Sequence, residues 1–249
     1  MDKVINRSVI GQQDLLVCAG GGRWGARGAT IAKEAGARAI VIDLNQSCLA
    51  SEVVDRISAD KDMRGAKIEG TVLVIGEVTE VLANILRYES PRWVIPAILG
   101  GIAGKLTEKW LAMKQLKVTK SKFLVKRALT GLPERVVLSK GLGTITSSYM
   151  PNGMLCETPC SQPKICPVTG RKKVAPMYEL LEFSLSETVN HHRIFVAQDL
   201  GGVGGVSGAE VKEWLEYLEG LEPPYSLGVA ISCGCHANTA LFEVEEIVR

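Results

Sequence analysis

Apolar residues in the first hundred positions fall in short, nearly unbroken runs separated by segments of helical period. "DLLVCAG" (14–20), "RAIVIDLN" (38–45), "TVLVIGEV" (71–78) and "RWVIPAI" (92–98) have the length and Val/Ile/Leu content of strands buried on both faces. Between them, "RGATIAKEAGA" (27–37) places Ile31, Ala32 and Ala35 on one side of a helix. "CLASEVVDRI" (48–57) and "VTEVLANILRY" (78–88) also read as helices. This alternation predicts a parallel sheet covered on both faces. From Leu99 to Leu132 the pattern is mainly helical. The α/β rhythm returns with a helix at 175–185, a strand at "HRIFVAQDL" (192–200), a flexible loop "GGVGGVSG" (201–208), an amphipathic helix at 209–220 and a final strand "SLGVAISC" (226–233). Between the halves, residues 150–172 keep no hydrophobic period at all.

Composition narrows the class without naming a function. The 249 residues are 46% hydrophobic but only 5% aromatic, which suits α/β packing better than an aromatic-rich β-sandwich. The net charge of +2 selects neither nucleic acid nor a membrane surface, and no aromatic-rich recognition motif points to nucleic acid. The N-terminus lacks the apolar core of a signal peptide, and the longest apolar run, "WVIPAILGGIAG" (93–104), is too short to span a bilayer. A cytoplasmic protein is expected. Residues 105–127 carry eight basic side chains and one acid, while the chain from Glu210 onward carries eight acids and two bases. A solvated face explains the first run; the asymmetry also offers a way for two copies of the chain to associate.

The loop after the first strand is glycine-rich. Gly20, Gly22 and Gly25 fit G-x-G-x-x-G between a strand and a helix: one glycine for the tight turn, one for backbone approach to a pyrophosphate, one for close helix packing. Asp43 ends the second strand, where a carboxylate can accept from ribose hydroxyls and repel a 2′-phosphate. Arg23 and Trp24 lie in the same loop and are bulky for a close pyrophosphate approach. On these residues the stretch 14–45 resembles the Rossmann-type NAD-binding superfamily, which includes the NAD-binding domains of potassium-uptake regulators and many dehydrogenases. The resemblance covers roughly the first hundred residues and implies a doubly wound parallel sheet and an NAD-type ligand, not a reaction. Two alternatives stay open: a loop of this shape with no ligand, and S-adenosylmethionine, which methyltransferases bind with a similar arrangement.

Several chemistries are absent. None of the five tyrosines has lysine at the fourth following place, no G-x-S-x-G elbow or lysine-bearing phosphate loop occurs, and there is no His-Glu-x-x-His helix. His191 and His192 read as surface or turn residues, and Lys140 stands ahead of a glycine turn. The second glycine loop, flanked by Asp199 and Ser207, could receive a phosphate or simply move. Cys18 and Cys48 read as small buried hydrophobes.

Seven cysteines in a chain without a recognisable signal argue against a disulfide framework. Cys156, Cys160 and Cys166 have C-x3-C-x5-C spacing, unlike paired C-x2-C zinc knuckles, and Cys233, Cys235 and His236 stand at the end of the last expected strand. Loops at one sheet edge can meet, so zinc or an iron–sulfur cluster held by Cys156, Cys160, Cys166 and Cys235 is expected, with irregular spacing favouring the cluster. A thiol-redox role and separate packing of the thiols are the alternatives. The combined expectation is a Rossmann-like domain over residues 1–104, then a second α/β portion over 105–249 with a Cys-rich insertion (150–172). Its function would be that of an NAD-dependent oxidoreductase acting on a small molecule or nucleotide. The rival readings are a non-enzymatic sensor of NAD or metal, and a methyltransferase.

Overall fold

A computed structural model describes residues 10–59, 69–98, 100–154, 156 and 160–247. Along the chain run β1 (Leu15–Ala19), α1 (Arg23–Glu34), β2 (Arg38–Asp43), β3 (Arg56–Ser58), β4 (Thr71–Ile75), α2 (Val78–Tyr88), β5 (Trp93–Pro96), α3 (Ile102–Met113), β6 (Leu116–Lys120) and α4 (Lys122–Thr130). There follow β7 (Val137–Gly141), β8 (Thr144–Ser148), α5 (Met177–Ser186), β9 (His191–Val196), β10 (Gln198–Asp199), β11 (Gly204–Ser207), α6 (Gly208–Glu219), β12 (Tyr225–Ser232) and β13 (His236–Glu246). The chain forms two compact units. Residues 1–98 and 199–209 make the first; residues 99–198 and 210–249 make the second. Both sheets mix parallel and antiparallel pairs, so the protein is a mixed α/β chain. Among the described residues no helix is long and apolar enough to cross a membrane.

The first unit's sheet has the order β10-β11-β5-β1-β2-β4-β3. The strands from β5 to β3 are parallel, and β11 joins β5 antiparallel through Val206↔Val94. Parity divides the strand side chains. Leu16, Cys18, Ala39, Val41, Leu73, Trp93 and Ile95 form one apolar layer with Ala29, Ile31 and Ala32 of α1. Val17, Ile40, Ile42, Val72 and Val74 are fully buried on the opposite face. Two expectations change here. Residues 48–57 form a short 3-10 turn (Leu49–Glu52) and then β3, because Asp55 clasps Thr71: its carboxylate accepts from the Thr71 N–H at 2.8 Å and hydroxyl at 2.9 Å. The Lys33 ammonium, 2.7 Å away, is the main cause holding the Asp55 carboxyl down at about 2. The 201–208 stretch is only partly loop, since its second half is β11.

The second unit's sheet has the order β7-β8-β13-β12-β9, with β6 also on β13. The long β13 organises it: His236–Ala240 pair with β8, Phe242–Glu246 pair with β6, and β12 runs along the other edge. Leu124, Ala128, Leu181 and Leu185 from α4 and α5 cover the face bearing Ile145, Ala237 and Leu241. On the other face α3 packs so closely that a Cβ on Gly104 would stand 2.4 Å from the Ala240 Cβ. The helical reading of 99–132 missed β6, whose "LKVTK" alternation is masked by lysines, and β13 lay past the expected last strand. His191 and His192 are within β9, not before it. The His191 Nδ1 meets the Tyr217 hydroxyl at 2.7 Å, and His192 Nε2 meets Glu182 at 2.9 Å. Within this unit Lys114 pairs with Glu219 and Lys117 with Glu245, at 3.0 and 2.7 Å, so the basic stretch and acidic C-terminal part partly neutralise each other.

The glycine pattern in the first unit has a packing origin that substitutions can check. A Cβ on Gly25 would stand 1.8 Å from the Gly20 carbonyl oxygen, whereas one on Gly22 would meet nothing within 4 Å at a φ of −70°. Gly25→Ala should therefore cost about 2–3 kcal/mol in urea unfolding, and Gly22→Ala less than about 1 kcal/mol. Equal costs would contradict the packing account.

Candidate metal centre

Two remote segments of the second unit build this site. The first is the tight turn joining β12 to β13, Cys233–Gly234–Cys235, closed by the Cys233 N–H on the His236 carbonyl at 2.9 Å. The Ser232 hydroxyl reaches the Cys233 and His236 carbonyls at 2.8 and 3.1 Å. The second segment doubles back on itself through an antiparallel bridge between Ile165 and Lys172. Cys166 stands at its bend: its N–H donates to the Arg171 carbonyl at 2.9 Å, and Gly170, at φ +67°, donates to the Cys166 carbonyl at 2.8 Å. Only a residue tolerant of the left-handed region turns the chain so tightly there.

Backbone bonds from the end of β8 and the start of α5 hold the turn, and side-chain bonds dock the Cys-rich segment to it. Tyr149 N–H donates to the Cys235 carbonyl and Met177 N–H to the Gly234 carbonyl, at 3.0 and 3.1 Å. The Gly234 N–H donates to the Gln162 side-chain oxygen. Lys173 is only 6% exposed, and its ammonium donates to the Gln162 carbonyl at 2.7 Å and to the Cys235 sulfur at 3.2 Å. Gln162 serves three contacts at once, and its φ of +57° is a conformation that non-glycine residues seldom adopt. Neither Gln162 nor Lys173 stood out in the sequence. "RKKVAP" holds three adjacent cations, and nothing in their order marks the third as buried.

Cys156, Cys160, Cys166, Cys235 and His236 line one cavity of about 10 Å³, together with Tyr149 and Pro163. Cys233 lies beside it, its sulfur 3.5 Å from His236 Nδ1. Among the described residues, no group of three or more His, Cys, Asp or Glu side chains is already arranged to hold a metal ion. The Cys-rich insertion also includes Pro159, which lies outside the described residues.

Donors surround three of the sulfurs. The Gln162 N–H points to Cys160 at 3.4 Å, and the Cys235 and His236 N–H groups point to Cys233 at 3.4 and 3.3 Å. At Cys233 these hydrogen bonds favour the thiolate. Cys233 falls to about 6, chiefly because the Cys235 thiol donates to it, while Cys235 is raised by the same bond and by burial. The Thr169 hydroxyl is the main cause lowering Cys166, helped by the Thr169 and Val168 N–H groups. Cys156 is pushed up to about 11, first by desolvation and then by the charges of Cys160, Cys235 and Cys166. Burial lowers His236. The pocket thus prepares some thiolates and resists others until a positive charge joins them.

In the first unit, the Asp43 carboxylate accepts from the Gly21 N–H at 2.6 Å and from the Asn45 N–H at 2.8 Å, bracing the glycine loop. Gly20 sits at φ +120°, and a Cβ there would stand 2.9 Å from the Ala97 carbonyl oxygen. The Arg23 guanidinium lies 4.9 Å over the half-exposed Trp24 ring. Gly201 and Gly202 close on Asp199, whose carboxylate accepts from both N–H groups. Cys18 is fully buried and pushed up to about 12 by burial, and Cys48 precedes the 3-10 turn with its sulfur packed against Gly21.

Residues 103–245 match the family model AF_1314_C, described as "Uncharacterized protein, C-terminal domain", and residues 15–99 match AF_1314_N, the corresponding N-terminal domain. The chain belongs to the AF_1314 family. An uncharacterized protein of Archaeoglobus fulgidus is similar, with 30% identity over 168 residues, 68% of this chain and 74% of that protein. No NAD-binding family is matched, and the stretch that resembled the Rossmann-type superfamily is AF_1314_N sequence. That assignment is therefore corrected. The physical reason is that Gly20, Gly25 and Asp43 satisfy the motif through the turn, the helix contact and the loop brace just described. In this AF_1314 chain the thiol chemistry can be tested directly. In metal-free protein at pH 7, Cys233 should be the first thiol alkylated by iodoacetamide, its rate rising with pH through about 6 as the thiolate forms, while Cys18 stays unmodified. Peptide mass spectrometry reads both; labelling of Cys233 no faster than an unperturbed thiol would contradict the assigned electrostatics.

Proposed function

We propose that this protein binds a single thiophilic metal ion, zinc or iron, through Cys156, Cys160, Cys166 and Cys235, and that the ion staples residues 150–173 to the β12–β13 turn. The carrying observation is the one cavity lined by these four thiols from two distant segments. Its volume, about 10 Å³, matches one water-sized sphere and favours one ion over a multi-iron cluster. Sulfur donors suit Zn²⁺ or an iron tetrathiolate, and four protein ligands make a closed site. A divalent cation would offset the desolvation and the thiol repulsion that together hold Cys156 up, and Lys173 would offset part of the remaining negative charge. His236 and Cys233 flank the ion as hydrogen-bonding neighbours that tune the ligands.

The site has a reason to exist. Among the described residues of 150–173 the buried apolar side chains are Met150 and Cys166, so hydrophobic burial by these residues contributes little to their order. A structural zinc site can contribute about 10–16 kcal/mol in small peptides. Protein purified without added chelator should carry close to one equivalent of zinc or iron by elemental analysis. An iron form would be coloured and a zinc form colourless. Because Cys156 must lose a proton to bind, uptake should release protons and weaken as pH falls, which calorimetry in two buffers of different ionisation enthalpy would detect. Cys235→Ser and Cys160→Ser should each abolish stoichiometric metal and lower Tm by several degrees. Metal-free protein whose Tm is unchanged in Cys160→Ser would overturn the proposal.

A further inference from the structure

A second cavity adjoins the cysteine site within the same unit. It is an open groove of about 510 Å³, in the size range of pockets for small molecules. Its polar lining is Lys164, Lys173, Gln162, Ser161, Tyr178 and Glu179, and its apolar lining is Val174, Ala175 and Pro176. Cations and neutral donors outnumber the single acid. Lys173 is shared with the cysteine site: it binds the Cys235 sulfur and the Gln162 carbonyl, and an ammonium has three donors, so one is left over. Gly234, between Cys233 and Cys235, also lines this groove. The wall between groove and thiols is thus one lysine and one turn of backbone.

We propose that this groove is a binding site for a small organic acid, with its carboxylate or phosphate group on Lys164 and Lys173 and its carbon skeleton against Val174, Ala175 and Pro176. The unusual backbone of Gln162 supports a functional origin for this wall, because strained conformations persist where surrounding contacts enforce them and cluster at ligand sites. The acid would lie against the wall of the cysteine centre, where occupancy and the state of Cys235 compete for the same ammonium. No contact proposed for the acid is to the ion, so the proposal does not depend on which metal the cysteine site holds.

The test is calorimetric titration of the full-length protein with inorganic phosphate and with succinate, each up to about 10 mM, a range that captures weak millimolar binding. Saturable binding of either is expected. Lys164→Gln, an exposed change, should weaken it by about tenfold, and Glu179→Gln should tighten it severalfold by removing the competing carboxylate. The opposite signs separate direct contact from a general loss of fold. Repeating the titration on Cys160→Ser distinguishes the two sites: binding retained there supports the groove whatever the metal result. No heat with either anion, or binding indifferent to both Lys164→Gln and Glu179→Gln, would overturn the proposal.

Discussion

The second unit turns on one buried cation. Lys173 is withdrawn from solvent with its charge still to be balanced, and isolating such a charge costs several kcal/mol unless it finds strong partners. Its two acceptors come from different segments, a carbonyl of the Cys-rich stretch and a sulfur of the β12–β13 turn. Satisfying one ammonium therefore fixes the distance between two pieces of chain more than sixty residues apart. The Gln162 side chain repeats the connection from the other side by accepting from Gly234. That second contact explains the glycine, because a Cβ at 234 would stand 2.8 Å from the same oxygen.

This clamp creates an electrostatic problem along with the cavity. Burial and then the neighbouring thiols make Cys156 harder to ionise, while the hydrogen bond from the Cys235 thiol brings Cys233 down. A mere cluster of small hydrophobes would have no use for the N–H groups aimed at Cys233, since a neutral thiol gains little from them. Donors arranged around sulfur make sense when the sulfur carries charge. One lysine cannot balance several thiolates, and a divalent ion would take up twice its charge by direct ligation. The same reasoning gives Cys233 and Cys235 different parts although they are two residues apart: one accepts from the backbone, the other faces the cavity and the lysine.

Legibility in the sequence followed the range of the interactions. The buried strands β1, β2, β4 and β5 were plain because unbroken Val/Ile/Leu runs have few other outcomes. β6 was hidden because Lys117 and Lys120 fall on opposite parities of its five residues and continue the basic run of 105–127, so a strand looked like a continuation of a charged helix. β3 was hidden because Asp55 and Thr71, sixteen residues apart, override a local helical pattern. The thiols were visible as chemistry, and their partnership with "SCGCH" followed from strand ends gathering at one edge. Lys173 and Gln162 were not visible, since burial of a lysine and a left-handed glutamine depend on contacts that no local pattern encodes.

The glycine loop shows the converse risk, a pattern whose residues are each explained by packing. Gly25 admits no side chain because the Gly20 carbonyl occupies the place of its Cβ, and Gly20 is held at positive φ against the Ala97 carbonyl. Asp43 engages both oxygens with loop N–H groups. A strand turning sharply into a helix needs small residues at these points whether or not anything binds there, so the spacing reports the turn before it reports a ligand. Gly22 differs, with open space where a side chain would go. It is the one position of the motif that packing does not require to be glycine. The cysteine site has the opposite character: its geometry is expensive for the fold to maintain, with a buried ammonium, a left-handed glutamine and crowded thiols in one place, and packing alone supplies no reason to keep them together.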